Sequence, residues 1–116
     1  MINQCRFVGF LLVIFLLGGI KTLNAQDNLG RITCICIDAG HGGKDPGAIS
    51  GRLREKDITL AVALKLGKMI KDAYPNIKIV YTRTKDVAVD LRERGRIANK
   101  AKAQLFISIH VNKFSK

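Results

Sequence analysis

Short apolar runs alternate along most of this chain with longer segments of helical periodicity, and this alternation limits the fold more than any other feature. The runs are rich in β-branched and aliphatic side chains, as buried strands are, and cover residues 32–37, 77–83 and 105–109. The helical segments cover residues 57–73 and 91–102. Strands that alternate with helices predict a parallel sheet with right-handed crossovers. We therefore expect an α/β fold, a three-layer βαβαβ-type sheet with flanking helices.

The first predicted helix has recognisable ends. Asp57 is a residue type that caps helices by accepting a backbone N–H, so the helix should begin there. It should end before Tyr74 and Pro75, because proline cannot continue a helix. Its side chains at helical spacing are Ile58, Ala61, Val62, Lys65, Met69, Ile70 and Ala73. The apolar side of the second helix is predicted to comprise Leu91, Ile97, Ala98 and Ala101.

Residues 41–54 are rich in glycine and polar side chains, and residues 45–47 read Asp-Pro-Gly, a turn signal. We interpret this segment as one long loop after the first strand. Long loops in compact domains are usually functional, so this one is a candidate for part of a site.

Residues 1–25 have the layout of a secretory signal peptide, with Arg6 before an apolar run and Ala25 at the expected cleavage point. The apolar run, residues 7–20, is 14 residues long. A membrane-spanning helix needs about 20, so cleavage is favoured over retention as an anchor. We expect a mature chain of residues 26–116, exported to the periplasm or cell envelope, with no stable membrane span.

The mature chain would carry 18 basic and 9 acidic side chains, a net charge of +9. Such an excess favours an anionic partner: nucleic acid, an anionic membrane surface or a carboxylate-rich polymer. The alternative is that the charge only solvates two helix faces. Export argues against nucleic acid. So does the scarcity of aromatic side chains for base stacking, since Phe106 at least should be buried.

Two cysteines, Cys34 and Cys36, remain in the mature chain and lie two apart in the first predicted strand. Side chains at that spacing share a face, but a disulfide between them would strain its preferred geometry. Two buried free thiols are therefore expected, and a two-cysteine metal site is the alternative.

The chain has two histidines, His41 and His110, and each follows the end of a predicted strand. In parallel sheets that edge is where ligand crevices form. Each histidine could equally be an ordinary loop residue. Glu55 stands just before the predicted helix, where the helix dipole alone would favour a carboxylate. Together the three make a two-histidine, one-carboxylate set, which suits a catalytic zinc that leaves its fourth position to water.

The chain resembles the zinc-dependent N-acetylmuramoyl-L-alanine amidases in five blocks that occur in the family's order. These blocks are residues 37–48, residues 55–57, Thr82-Arg83 with Asp86, Leu91 with Arg94, Ala98 and Asn99, and residues 105–112. The resemblance implies zinc held by His41, Glu55 and His110. It also implies peptidoglycan as the substrate, cleaved at the amide between N-acetylmuramic acid and the L-alanine of the stem peptide.

The resemblance leaves the general base outside this sequence. In the family it is a glutamate in a later block, whereas this sequence stops at Lys116, six residues past His110. We therefore expect residues 26–116 to be the N-terminal part of an amidase catalytic domain whose C-terminal part is missing. The alternative is a fragment that binds zinc or cell wall without turnover. Whether an activator protein is involved is not indicated by the sequence.

Four other polar residues near the blocks receive minor roles. We expect Asp38, Asp45 and Asp57 to act as turn formers, partners of the ligands or helix caps. Gln104 stands where the family usually has an aspartate, just before the third strand, so the change should be mild.

Overall fold

A computed structural model describes residues 30–112 of the chain, so the predicted signal peptide of residues 1–25 lies outside the described part. Within residues 30–112, two helices and five strands follow one another in the order β1 (Cys34–Ala39), β2 (Ile49–Ser50), β3 (Leu53–Arg54), α1 (Glu55–Ala73), β4 (Lys78–Tyr81), α2 (Leu91–Lys100) and β5 (Leu105–Ile109). No helix in this part of the chain is long and apolar enough to cross a membrane.

The main sheet has three parallel strands in the order β4-β1-β5, which confirms the predicted parallel α/β arrangement. Strand β1 lies in the centre, with Ile37 opposite Tyr81 on one side and Ile107 on the other. A central strand of a parallel sheet is covered on both faces, and all six residues of β1 are buried.

The two helices pack on opposite faces of β1. Successive side chains of a strand point to opposite faces, so the contacts of neighbouring β1 residues show which helix covers which face. On one face Ile35, Ile37 and Ala39 form the core with Ala63 of α1. On the other face Asp38 contacts Arg94 of α2. The three-layer arrangement expected from the sequence is therefore confirmed.

Helix α1 begins at Glu55, two residues before the predicted start, and Asp57 is not its cap. The N-cap is Arg54, which makes no capping hydrogen bond with its side chain. Two of the N–H groups of the first turn donate to the preceding segment instead: Glu55 N donates to Ala48 O at 2.9 Å and Lys56 N to Pro46 O at 3.1 Å. These two bonds take the place of a side-chain cap.

The face of α1 that meets the sheet also differs from the prediction. Its buried positions include Thr59, Ala63 and Gly67, whereas Val62 and Met69 are exposed. Small side chains let the helix approach the sheet closely. Of the predicted apolar set, Ile70 does pack against the core, but the periodicity did not indicate the small residues at the centre of the contact.

Helix α2 ends at Lys100, two residues earlier than predicted. Asp90 caps its start, accepting a hydrogen bond from Arg92 N at 2.8 Å. Leu91, predicted on the apolar side, is 84% exposed, and the buried positions are Arg94 and Ala98.

The predicted long loop contains a small antiparallel hairpin of β2 and β3. Each strand has only two residues, too few for an alternating pattern, and Gly51 at the turn has a φ of +58°. The hairpin leads directly into α1 and thereby sets where that helix starts.

The strand predictions were right in order and less accurate in extent. Strand β1 lies two residues later than predicted, since Asp38 and Ala39 continue it. Strand β4 is shorter than predicted at both ends. Strand β5 matches its prediction, but Phe106 is 43% exposed rather than buried, because β5 has one partner strand in the described sheet.

Cys34 and Cys36 are buried free thiols, as expected, and burial is the main reason that the pKa of Cys36 rises to about 11.

Gly67 provides a test of the close packing between α1 and the sheet. A Cβ at Gly67 would overlap the Tyr81 hydroxyl, whereas one at Gly95 on α2 would meet nothing within 4 Å. Alanine favours a helix over glycine by about 1 kcal/mol, but overpacking costs about 1–3 kcal/mol. We expect Gly67→Ala to lower the free energy of unfolding and Gly95→Ala to raise it slightly, as measured by urea denaturation. Equal effects of the two changes would contradict this packing.

Candidate metal centre

Three side chains from separate parts of the chain meet at one edge of the main sheet. His41 follows β1, Glu55 is the first residue of α1, and His110 follows β5. Because β1 and β5 are parallel neighbours, their carboxyl ends lie together, and the two histidines lie there with them. The structure thus brings together the three residues that the sequence predicted as ligands.

The contacts within this group centre on one oxygen of Glu55. Glu55 Oε1 lies 3.1 Å from His41 Nε2 and 3.2 Å from His110 Nδ1. The two imidazole rings pack edge to face with centroids 5.0 Å apart. One ligand atom from each residue lies within 4.8 Å of the others, so the three could hold one metal ion.

The donor set and its spacing fit zinc. Zinc binds histidine nitrogens and carboxylate oxygens at about 2.0–2.2 Å, so neighbouring ligand atoms of a tetrahedral site lie roughly 3.4 Å apart. The two distances from Glu55 Oε1 are close to that value. Three protein ligands leave a fourth position open, which is typical of catalytic rather than structural zinc sites.

Backbone N–H groups orient the Glu55 carboxylate. Oε2 accepts from Ala48 N at 2.9 Å, and Oε1 accepts from Val111 N at 2.8 Å. Burial opposes ionisation of Glu55, but these two bonds and the neighbouring His41 and His110 hold its pKa below the usual value. The side chain is therefore an anion, as a metal ligand must be.

Asp45 orients the His41 ring. Its Oδ2 lies 2.8 Å from His41 Nδ1, while its Oδ1 accepts from Gly47 N at 3.0 Å. The hydrogen bond with His41 and that with Gly47 lower the pKa of Asp45, which is therefore an acceptor. Because Nδ1 faces this acceptor, Nε2 is the ring nitrogen that is left for a metal. Asp45 was predicted as a turn former or a partner of a ligand. It contacts Gly47 within the turn and the ring of His41.

The backbone at His41 is in the left-handed region, with a φ of +62°, which is unusual for a residue with a side chain. Arg94 Nη2 donates to His41 O at 3.0 Å and helps to hold this conformation. The preceding residue must be small, since a Cβ at Gly40 would overlap the His110 ring. Glycine therefore lets the two histidine segments approach each other.

Asp38 lies beneath the site rather than in it. Its Oδ1 accepts from Thr82 Oγ1 at 2.6 Å and from Arg94 Nη1 at 2.7 Å, and its Oδ2 accepts from Ser108 Oγ at 2.7 Å. The sequence placed Arg94 in a weak helical block and assigned it no role. The signal that could have identified it is an arginine four residues before Ala98, on the buried face of its helix.

The other two predicted supporting residues are remote from the ligands. Asp57 Oδ2 accepts from Arg54 Nε at 2.7 Å on the surface of α1. Gln104 Oε1 accepts from Cys34 N at 2.8 Å at the start of β1, so it joins β1 to the residue preceding β5. The expectation that this position has a mild, structural effect fits that contact.

A cavity of about 360 Å³ adjoins Glu55 on the side of the hairpin. Glu55 lines it together with the apolar side chains of Ile49, Leu53 and Val111. All three apolar side chains are substantially exposed, so the cavity opens to solvent beside Glu55.

The family model described as N-acetylmuramoyl-L-alanine amidase (Amidase_3) matches residues 35–116. The chain belongs to this family. The matched range includes His41, Glu55 and His110, so the whole ligand group lies in the conserved-domain match.

Several relatives and solved structures are similar to this chain. The sporulation-specific N-acetylmuramoyl-L-alanine amidase of Bacillus subtilis is 45% identical over 78 residues, which cover 67% of this chain and 31% of that protein. The catalytic domain of the amidase CwlV from Bacillus (Paenibacillus) polymyxa is 40% identical with a TM-score of 0.69, covering 73% of this chain and 48% of that one. The CwlD amidase of Clostridioides difficile, in complex with the GerS lipoprotein, is 33% identical with a TM-score of 0.56, covering 72% and 50%. The chain thus spans about a third of the first relative and about half of the two structures.

Replacing Asp45 tests whether it orients His41 for a metal. Asp45→Asn keeps the size of the side chain but removes the anion that holds the proton on Nδ1. Loss of such an outer partner typically weakens metal binding by about 10–100-fold, and we expect a loss in that range in a zinc titration. The control is Asp72→Asn, an equally exposed acid on α1. A variant of Asp45 that binds zinc as the unchanged chain does would contradict this role.

Asp38 should make stability depend on pH. Burial raises its pKa, but the bonds from Thr82, Ser108 and Arg94 outweigh burial and hold the pKa below the unfolded value of about 3.9. This contribution to stability is present above pH ~4 and is lost as the pH falls through the folded-state pKa. Asp38→Asn should lower the free energy of unfolding by about 3–5 kcal/mol at pH 7, because Arg94 is left without its buried partner.

The measurement is urea denaturation of both chains at pH 7 and near pH 3. The difference between the unchanged chain and Asp38→Asn should shrink at the lower pH, because the unfolded form of the unchanged chain then binds a proton at Asp38 more readily than the folded form does. A difference that is constant with pH would show that Asp38 contributes through shape and not through its charge.

Proposed function

We propose that this chain provides the zinc centre of an N-acetylmuramoyl-L-alanine amidase, which hydrolyses the amide between N-acetylmuramic acid and L-alanine in peptidoglycan. Membership of the family supports the activity. The observation that carries the proposal is the convergence of His41, Glu55 and His110 at one sheet edge, with spacing that suits a single zinc ion.

Each ligand residue has a defined task in this proposal. His41 offers Nε2 because Asp45 holds its other ring nitrogen, and Glu55 offers Oε1 while its Oε2 accepts from Ala48 N. His110 offers Nδ1, the ring nitrogen that faces Glu55. When bound, zinc would supply Lewis-acid chemistry, polarising the amide carbonyl and making water more acidic.

Hydrolysis also needs a group that takes a proton from water and gives it to the leaving amine. Two acids close to the ligands in sequence are already engaged: Asp45 by His41 and Gly47, and Asp38 by Thr82, Arg94 and Ser108. We propose that this step depends on a carboxylate outside residues 30–112, as the family's later glutamate would be.

Engagement of these two acids is also the observation that favours a second candidate function, zinc or cell-wall binding without turnover. The net charge of +9 after the predicted cleavage would attract a carboxylate-rich polymer such as peptidoglycan in either case. The two candidates therefore share the metal centre and the partner and differ in turnover.

We further propose that residues 1–25 are a signal peptide and that residues 26–116 act in the periplasm or cell envelope. The layout of the N-terminal residues and the location of peptidoglycan support this. Peptidoglycan is the proposed partner. A lipoprotein, of the kind seen with the CwlD amidase, is a candidate regulator.

The test is to incubate the chain with zinc on purified peptidoglycan and to measure newly freed amino groups of L-alanine. Zinc-dependent release that falls to background in His110→Ala, where two ligands hold zinc far less tightly than three, would support the amidase function. Asp72→Asn, remote from the ligands, should keep full release. Zinc binding is measured in parallel by titration. Bound zinc without release would favour the binding function, and absence of zinc binding would contradict both candidates.

A further inference from the structure

Asp86 lies in the connection between β4 and α2 and contacts two segments that carry proposed ligands. Its Oδ1 accepts from Gly43 N at 2.7 Å, and its Oδ2 lies 2.6 Å from Lys56 Nζ. Gly43 stands two residues after His41, and Lys56 directly follows Glu55. One carboxylate therefore joins the loop of the first ligand to the helix start of the second.

Lys56 completes this connection from the other side. Its Nζ also donates to Gly43 O at 2.8 Å, so both backbone polar groups of Gly43 are held by charged side chains. The Lys56 side chain is only 8% exposed, and a buried ammonium is costly unless it is paired and hydrogen-bonded. The hydrogen bond from Lys56 and that from Gly43 lower the pKa of Asp86, so the carboxylate is ionised and the pair is charged.

The loop that these contacts hold is conformationally strained. His41 has a φ of +62°. A left-handed backbone at a residue with a side chain costs of order 1–3 kcal/mol and persists only where the surroundings impose it. The contacts at Gly43 are part of these surroundings, together with the hydrogen bond from Arg94 to His41 O.

We infer that Asp86 is a positioning residue for the metal centre: together with Lys56 it clamps the loop of residues 41–43 against the start of α1 and so sets His41 relative to Glu55. The inference rests on the proposed zinc-binding function. Asp86 itself is outside the ligand group and acts through Gly43 and Lys56.

The variants separate the two contacts of Asp86. Asp86→Ala removes both contacts, whereas Asp86→Asn keeps an acceptor for Gly43 N and removes the charge opposite Lys56. The matched control is Asp72→Ala, because Asp72 also pairs with a lysine at 2.6 Å, on the exposed side of α1. The measurements are the zinc dissociation constant, the visible absorption spectrum of bound Co²⁺, the exchange rate of the Gly43 amide without metal, and the free energy of unfolding.

We expect Asp86→Ala to weaken zinc binding by about 3–10-fold, less than the 10–100-fold typical of a direct partner of a ligand. The Co²⁺ bands should shift in position or intensity, because they report ligand geometry, and the Gly43 amide should exchange faster. Asp86→Asn should have an intermediate effect, and Asp72→Ala should match the unchanged chain in all readouts.

Two other outcomes would contradict the inference about Asp86 and the proposed function separately. If Asp86→Ala lowers the free energy of unfolding but leaves the zinc constant and the Co²⁺ spectrum unchanged, the contact stabilises the fold only and the inference is wrong. If the unchanged chain binds neither metal, the proposed function fails. Exchange of the Gly43 amide then still decides whether Asp86 holds the loop, because equal exchange in Asp86→Ala and the unchanged chain would overturn the clamp.

Discussion

The buried pair of Asp38 and Arg94 is the interaction on which the site end of the sheet depends. Asp38 stands near the end of the central strand and also accepts hydrogen bonds from Thr82, just after β4, and from Ser108 in β5. One carboxylate thus joins all three strands and α2 where the chain turns toward His41. Removing two charges from water costs several kcal/mol per ion, which the attraction between them offsets only when the geometry is good and the other polar atoms are satisfied. The chief consequence of this network is therefore a defined end of β1 rather than a large net gain in stability.

A related constraint is that carbonyl groups at the end of a buried strand need donors. Arg94 donates to Ala39 O and His41 O, while Arg83, in the connection after β4, donates to Ala39 O and Gly40 O. Two guanidinium groups therefore hold three successive carbonyls, from opposite faces of the sheet. A planar fork with several fixed donors can do this, whereas a lysine offers one flexible ammonium. The loop that carries His41 is thus held through its backbone, which makes its strained conformation tolerable.

The parts of this protein that the sequence could predict are those that depend on strong local patterns. Apolar runs and helical spacing predicted a parallel sheet, which puts His41 and His110 at the same edge. The two residues meet because β1 and β5 are neighbours in the sheet, an order that the pattern did not predict. The start of α1 was not predictable in this way, because loop carbonyls replace the side-chain cap that Asp57 suggested. The packed face of α1 was missed since it is marked by small residues such as Gly67, whose importance appears only when Tyr81 is opposite. The hydrogen bonds of Asp38 and Asp86 join segments that are distant in the chain, so they produce no periodic pattern in the sequence.

The two histidines of the proposed centre are held unequally. The ring of His41 is bound by Asp45, its backbone is bound by Arg94, and its side chain is 24% exposed. The side chain of His110 is 50% exposed, and within residues 30–112 its ring bonds to Glu55 alone. Within residues 30–112, His41 and Glu55 therefore form the preorganised half of the proposed centre, because each is fixed by contacts beyond the three-residue group.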